Sequence, residues 1–203
     1  MGPRGLVESI NLRSNKMKNK YEIRGNTVVI YLHRRDGIDI ETVIDREDLQ
    51  KAQEFKGAWY ANWANKKTFY VHGTTMVDGK YAKIHFHRWI MDCPDGLHVD
   101  HINHDTLNNK RENLRNVTRT INNQNKTEKV NSSGFSGVSW HKHTGKWQSR
   151  IMVNKNNIYL GLFSDIKEAG EAARKARIEL MPGYVNNNWD DGERSGNVTR
   201  VVG

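Results

Sequence analysis

The side chains able to do chemistry crowd between His85 and Asn122: His85, His87, His98, His101 and His104, the adjacent pair Asp100-His101, and the asparagines Asn113 and Asn122. A neutral imidazole, with an ordinary pKa of about 6.5, can take a proton from water at physiological pH, so His101 is a candidate general base. Consecutive residues of an extended strand point to opposite faces, so Asp100 and His101 can serve one cavity only where the strand twists or ends. The histidines also stand at spacings that could ligate zinc. Against that reading, the one cysteine, Cys93, supplies no thiolate set, and the surroundings are rich in asparagine.

The pieces of this stretch are informative together: His87-Arg88, Val99-Asp100-His101-Ile102-Asn103, Asn108-Asn109, Glu112-Asn113-Leu114-Arg115, and Asn122 in the run TRTINNQN. In this combination the segment resembles the HNH nuclease family, in particular its phage and intron-encoded branch. The resemblance implies a ββα-metal finger: a strand ending at Asp100-His101, a loop, a strand over Leu114 to Val117, and a helix opened by Thr118 that carries Asn122. It implies His101 as general base, Asp100 and Asn122 as metal ligands, and Asn113 as a brace that holds His101 by bonding loop backbone. Two oxygen ligands call for a hard cation, Mg²⁺ or Mn²⁺, one ion per active centre. That chemistry suits phosphodiester hydrolysis, which needs an activated water, a cation on the scissile phosphate and help for the departing oxyanion. Arg115 is a candidate DNA contact, and Arg88 is a candidate either for a DNA phosphate contact or for a structural ion pair.

Three strand-like runs follow further on, Val138 to His141, Lys146 to Val153 and Ile158 to Phe163, split by turn residues His143-Thr144-Gly145 and Asn154 to Asn157. In the second run Trp147, Ser149, Ile151 and Val153 alternate with Lys146, Gln148, Arg150 and Met152, which predicts one core face and one basic face. A helix is expected from Ser164 or Asp165, with Asp165 and Glu168 as a capping pair and Ile166, Ala169, Ala173, Ala176 and Leu180 facing the sheet, until Pro182 stops it. These residues resemble the plant ethylene-response-factor (APETALA-type) DNA-binding domain. The resemblance implies DNA contacts from Ser139, His141, Arg150, Asn157 and Tyr159. Lys142, Lys146 and Lys155 extend that basic set toward phosphates.

The elements that must position these groups come from a chain of 203 residues with 32 Lys+Arg, 23 Asp+Glu and a formal charge of +9. The excess points to a polyanion, and no acidic residue lies between Glu128 and Asp165. No apolar run reaches membrane-span length, and the MGPRG start has no apolar signal core, so a cytoplasmic setting is expected, which the HNH resemblance implies to be a bacterial or phage-infected cell. Upstream, Val28 to His33, the Asp36-Gly37 turn and Ile38 to Ile44 predict a hairpin. A short helix is expected over Asp45 to Lys56, capped by Asp45, and Trp59, Trp63, Phe69, Tyr70 and Val71 offer core material.

The expected fold class is α+β. The expected organisation is a flexible arm (1–20), a hairpin-containing support module (21–81), the ββα-metal nuclease centre (82–125), a linker (126–135), a three-stranded antiparallel sheet with one helix (136–189) and a loose tail (190–203). The chain reads as a site-specific DNA endonuclease of homing or phage type, acting on double-stranded DNA as a monomer with no obligate protein partner. The alternative is a sequence-specific DNA-binding regulator whose nuclease centre is inactive.

Overall fold

The computed structural model describes residues 17–34, 36–64, 68–126 and 131–186. The chain is α+β, and it divides into two compact units that part between Val117 and Thr118. The arm up to residue 16, residues 127–130 of the expected linker and the tail from 190 lie outside the described residues.

The first unit opens with an antiparallel sheet of β1 (Tyr21–Arg24), β2 (Thr27–His33) and β3 (Asp39–Asp45), in that spatial order, which leaves β3 at an edge. The expected hairpin is β2–β3, and Gly37 takes the left-handed conformation (φ +81°) that its turn requires. The helix expected over Asp45 to Lys56 is shorter: a 3-10 turn at Arg46–Asp48 and then α1 (Leu49–Gln53). Asp45 makes no side-chain cap there, because its carboxylate accepts instead from the Arg111 backbone N–H at 2.8 Å. A second antiparallel sheet holds β4 (Tyr60–Ala64), β5 (Thr68–Val77) and β6 (Lys80–His85), followed directly by α2 (Phe86–Ile90). The last pair is β7 (His98–His101) with β8 (Leu114–Val117).

Two expectations about this half are corrected. Met17 to Lys20, assigned to a flexible arm, are packed: Met17 is buried, its N–H donates to the Gln53 carbonyl, and Asn19 bonds the carbonyls of Tyr31 and Trp59. The boundary expected at 81/82 falls inside β6, and the core of the first unit runs across it. Phe86 and Ile90 of α2 are fully buried in one cluster with Val28, Ile30, Leu32, Ile40, Ile44 and Trp59. Its centre is aromatic, with Phe55 stacked on Trp59 at 4.1 Å and Trp59 against Phe86 at 4.6 Å. Side chains of this size each contribute roughly 2–3 kcal/mol by leaving water. Gly73 makes room beneath them, since a Cβ there would stand 2.4 Å from the Phe55 ring. Trp63, by contrast, is half exposed.

The second unit begins with α3 (Arg119–Gln124), capped by the Thr118 hydroxyl, which accepts from the Ile121 N–H. It continues with β9 (Val138–His141), β10 (Lys146–Val153), β11 (Asn156–Phe163) and α4 (Ile166–Leu180). The sheet is antiparallel with β10 central. Asp165 caps α4 by accepting from the N–H groups of Lys167 and Glu168. Ala169, Ala173 and Ala176 are buried along the helix, and Ser149 Oγ donates to the Ala169 carbonyl at 2.8 Å, so the small side chains bring helix and sheet into direct contact. Leu180, expected on that stripe, is exposed at the helix end. The linker expected at 126–135 is partly structured: Asn131 Nδ2 donates to the Val138 carbonyl, and the Phe135 ring lies over Gly170.

Two glycines separate conformation from crowding. Gly137 has φ +78°, and a Cβ there would lie 2.2 Å from the Arg150 carbonyl oxygen, whereas Gly145 at φ +62° has nothing within 4 Å. Gly137→Ala is expected to destabilise the second unit by about 3 kcal/mol or more and Gly145→Ala by only about 1 kcal/mol, measured by urea unfolding.

Candidate active site

Asp100 and His101 close β7, and antiparallel pairing sets Asp100 opposite Arg115 and His101 opposite Leu114. Both side chains are buried. His101 is the last residue of its strand, which loosens the alternation that would otherwise hold the two apart. Tyr70 of β5 marks their common surroundings: its ring lies 6.0 Å from that of His101, and its hydroxyl is held above the ordinary value by burial and by the Asp100 carboxylate.

The loop between β7 and β8 is shaped by its own asparagines and aspartates. Asn103 Oδ1 accepts from the Asp105 N–H, Asp105 Oδ1 from the Leu107 N–H, and Asn108 Oδ1 from the Lys110 N–H. These are local Asx-type turns. Asn113 closes the loop from the far side, accepting from the Asn103 N–H at 2.9 Å and donating to the carbonyls of Asn108 at 2.8 Å and Asp105 at 3.3 Å. His101 Nε2 lies 3.2 Å from Asn109 Oδ1 in the buried interior.

The outside of the loop is fastened to the N-terminal elements. Its backbone pairs with β3 through Val43 N–H to the Leu107 carbonyl and Asn109 N–H to the Val43 carbonyl. Thr106 Oγ1 donates to the Phe69 carbonyl. Arg111 grips the buried Asp48 carboxylate through Nε and Nη2, at 3.0 and 2.7 Å. Such a two-pronged pair holds orientation as well as charge.

Four imidazoles run in a row toward the site. Ring centres are 4.3 Å apart for His72–His85, 5.2 Å for His85–His87 and 5.1 Å for His87–His101. All four are held below the ordinary histidine value, chiefly by burial. His72 falls to about 4, with the charges of His85 and Lys83 adding to burial. His85 is lowered by burial, Lys83 and Arg88, and His87 well lowered by burial and its neighbours. His101 is lowered by burial, against the bond to Asn109 and the charge of Asp100. Among the described residues no three His, Cys, Asp or Glu side chains converge as a metal site, so the zinc reading of the histidines finds no geometry. Sequence reasoning misses His72 and gives Tyr70 only as core material, although both sit on one face of β5 by simple alternation.

The arginines expected at DNA in this unit are turned inward. Arg88 donates through Nη1 to the Leu97 carbonyl at 2.6 Å and to Cys93 Sγ at 3.2 Å, and through Nη2 to the carbonyls of Cys93 and Pro94. It is a brace for the turn that leads from α2 to β7. Arg115 donates through Nε (2.9 Å) and Nη2 (2.8 Å) to Asp100 Oδ2, which fixes the carboxylate.

In the second unit, Asn122 lies on α3. The register of the β9–β10–β11 sheet joins Lys146 to His141, Gln148 to Ser139, Arg150 to Tyr159 and Met152 to Asn157, so Ser139, His141, Lys146, Arg150, Asn157 and Tyr159 share the face away from α4. Arg150, Met152 and Tyr159 are exposed there. Lys142 and Lys155 stand in the two turns, Lys155 with φ +69°.

Residues 83–124 match the family described as HNH endonuclease. Over 59 residues the chain is 39% identical to Protein 3.8 of Escherichia phage T7; the shared stretch is 29% of this chain and 49% of that protein, so the chain spans about half the length of the curated relative it matches. No solved structure matches the chain. No helix among the described residues is long and apolar enough to cross a membrane.

The lowered imidazoles set a pH dependence. Folding disfavours their charged forms, so the unfolded chain takes up protons first once the pH drops through about 6.5. Stability is full above that pH and is lost as the pH falls toward about 4, the value to which His72 is pulled. Urea titrations of the wild type are expected to show a lower midpoint at about pH 5 than at about pH 7.5, with a smaller drop in His72→Gln.

Proposed function

We propose that the chain is a site-specific, metal-dependent DNA endonuclease of homing or phage type. The observation that carries the reading is the placement of Asp100 and His101, both buried, at the end of β7 and beside a loop that Asn113 bonds at three backbone groups. In this reading His101 takes the proton from the attacking water. Its lowered pKa keeps it neutral, and therefore basic, at physiological pH. Asn113 keeps the loop from collapsing onto the base. Tyr70, held protonated, lends the pocket a neutral wall.

Asp100 and Asn122 would hold one Mg²⁺ or Mn²⁺, which when bound neutralises charge on the phosphate and the departing oxygen. One carboxylate and one amide fit a hard cation that completes its shell with water and phosphate oxygens, not an all-protein cage. The protein pair alone is then a weak site, and substrate is needed to fill it.

The second unit supplies the DNA contact in this reading. Its sequence resemblance to the ethylene-response-factor type motivates this part of the proposal, in which the cations Arg150 and Lys146 on the strands, with Lys142 and Lys155 in the turns, meet double-stranded DNA. A second reading, a DNA-binding regulator that does not cut, is favoured by the Arg115–Asp100 ion pair, because a guanidinium on the carboxylate competes with a metal ion.

Incubation of plasmid or phage DNA with the protein and Mg²⁺ decides between them. Nicked or linear product is expected, with His101→Ala slowed by at least about 10²-fold while binding DNA as before. A protected footprint in EDTA that gives no cleavage when Mg²⁺ is added establishes the regulator. For the sheet face, binding is expected to fall with salt at a log–log slope of roughly −4 to −5, and Arg150→Ala to reduce that slope by about 1.

A further inference from the structure

The contact of β3 with the loop reaches the candidate base through two side chains: Thr42, which no motif marks, and Asn109, whose motif alone gives it no role. Thr42 of β3 is fully buried, and its Oγ1 donates to the Leu107 carbonyl at 2.7 Å. That bond uses the only hydrogen the hydroxyl has, so Oγ1 faces its other neighbour as an acceptor. The neighbour is Asn109 Nδ2, at 2.9 Å, on a side chain that is also fully buried. Asn109 can therefore offer only Oδ1 to the opposite side, where His101 Nε2 lies at 3.2 Å. An amide oxygen accepts and cannot donate, so Nε2 must carry the ring hydrogen. In a neutral imidazole the other nitrogen, Nδ1, then holds the lone pair.

We infer that Thr42 and Asn109 are positioning residues that lock His101 in the Nε2–H tautomer and so assign proton acceptance to Nδ1. The hydroxyl matters because an asparagine amide is nearly symmetric in shape. Without an acceptor at Thr42, the two orientations of Asn109 differ little, and the flipped one sets an NH₂ against Nε2, which favours the opposite tautomer. The backbone bonds between β3 and Leu107–Asn109 keep all three side chains in register. The support module therefore acts on the chemistry of the candidate base, and not merely on its stability. The kinetic consequence rests on the nuclease reading; the tautomer does not.

The test is NMR of the full chain with nitrogen-15-labelled histidine at about pH 8, beside steady-state cleavage of DNA. The wild type is expected to show His101 protonated at Nε2 and unprotonated at Nδ1. Thr42→Val is expected to mix the tautomers and lower kcat by about tenfold or more with KM unchanged, and Thr42→Ser to restore both. Thr42→Ala, which cannot clash, serves as the second variant. A hydrogen on Nδ1 in the wild type overturns the inference, as does an unchanged His101 tautomer in folded Thr42→Val or Thr42→Ala. The wild-type spectrum is read without any variant, so a misfolded mutant leaves that arm decisive. If the wild type cuts no DNA, the nuclease reading falls while the spectra still decide this one.

Discussion

The first unit depends on the pairing of an irregular loop with the edge of a sheet. The segment between β7 and β8 contributes two buried asparagines, Asn109 and Asn113, and many backbone polar groups, and none of these can be left without a partner in the interior. Local Asx turns satisfy some of them. Asn113 meets others, and Leu107 and Asn109 are met by β3, whose outer edge would otherwise present a row of open N–H and C=O groups. One contact thus settles two problems: the sheet loses an exposed edge, and the loop gains a rigid backing. The Arg111 clamp on Asp48 and the Thr106 bond to Phe69 then hold the loop from two further sides, so its asparagines are placed by three separate elements.

A shared aromatic core makes that backing stiff. Phe55, Trp59, Phe86 and Trp89 form a continuous set of ring contacts running from the N-terminal elements into α2. The indole N–H groups are satisfied, Trp59 by the Ala52 carbonyl and Trp89 by that of Lys51, so the large rings bring no orphaned donor with them. The four imidazoles of β5, the end of β6, α2 and the end of β7 lie ring to ring. Burial keeps them neutral, which lets four imidazoles lie close without mutual repulsion.

What could be read from the chain followed how local each signal was. The β2–β3 turn at Asp36-Gly37, the alternation along β10 and the Asp165 cap are decided within a few residues, and each appears in the structure near its expected place. The Asn113 bonds to loop backbone span at most ten residues. Where the reading went astray, the deciding partner lay far away in sequence. Asp45 and Asp48 look like helix-start residues, but Arg111, more than sixty positions later, claims both. The charge of Arg88 and Arg115 is visible in the sequence, whereas the internal carbonyls and carboxylate they bond are not. The absence of a boundary near 81 was equally hidden, because the Phe86 and Ile90 that span it read as core of any domain.

The residues that match a nuclease family, 83–124, begin within β6 and end on α3. The first part of that stretch is rooted in a core whose other members lie upstream, and its last helix belongs to the second compact unit. Excised by itself, it would expose Phe86 and Ile90 and leave Asn109 without Thr42. The stretch is therefore recognisable without being autonomous. Grafting it into another scaffold would transfer the motif but not the folding unit, so any exchange between such proteins must carry β3 and the aromatic centre along with it.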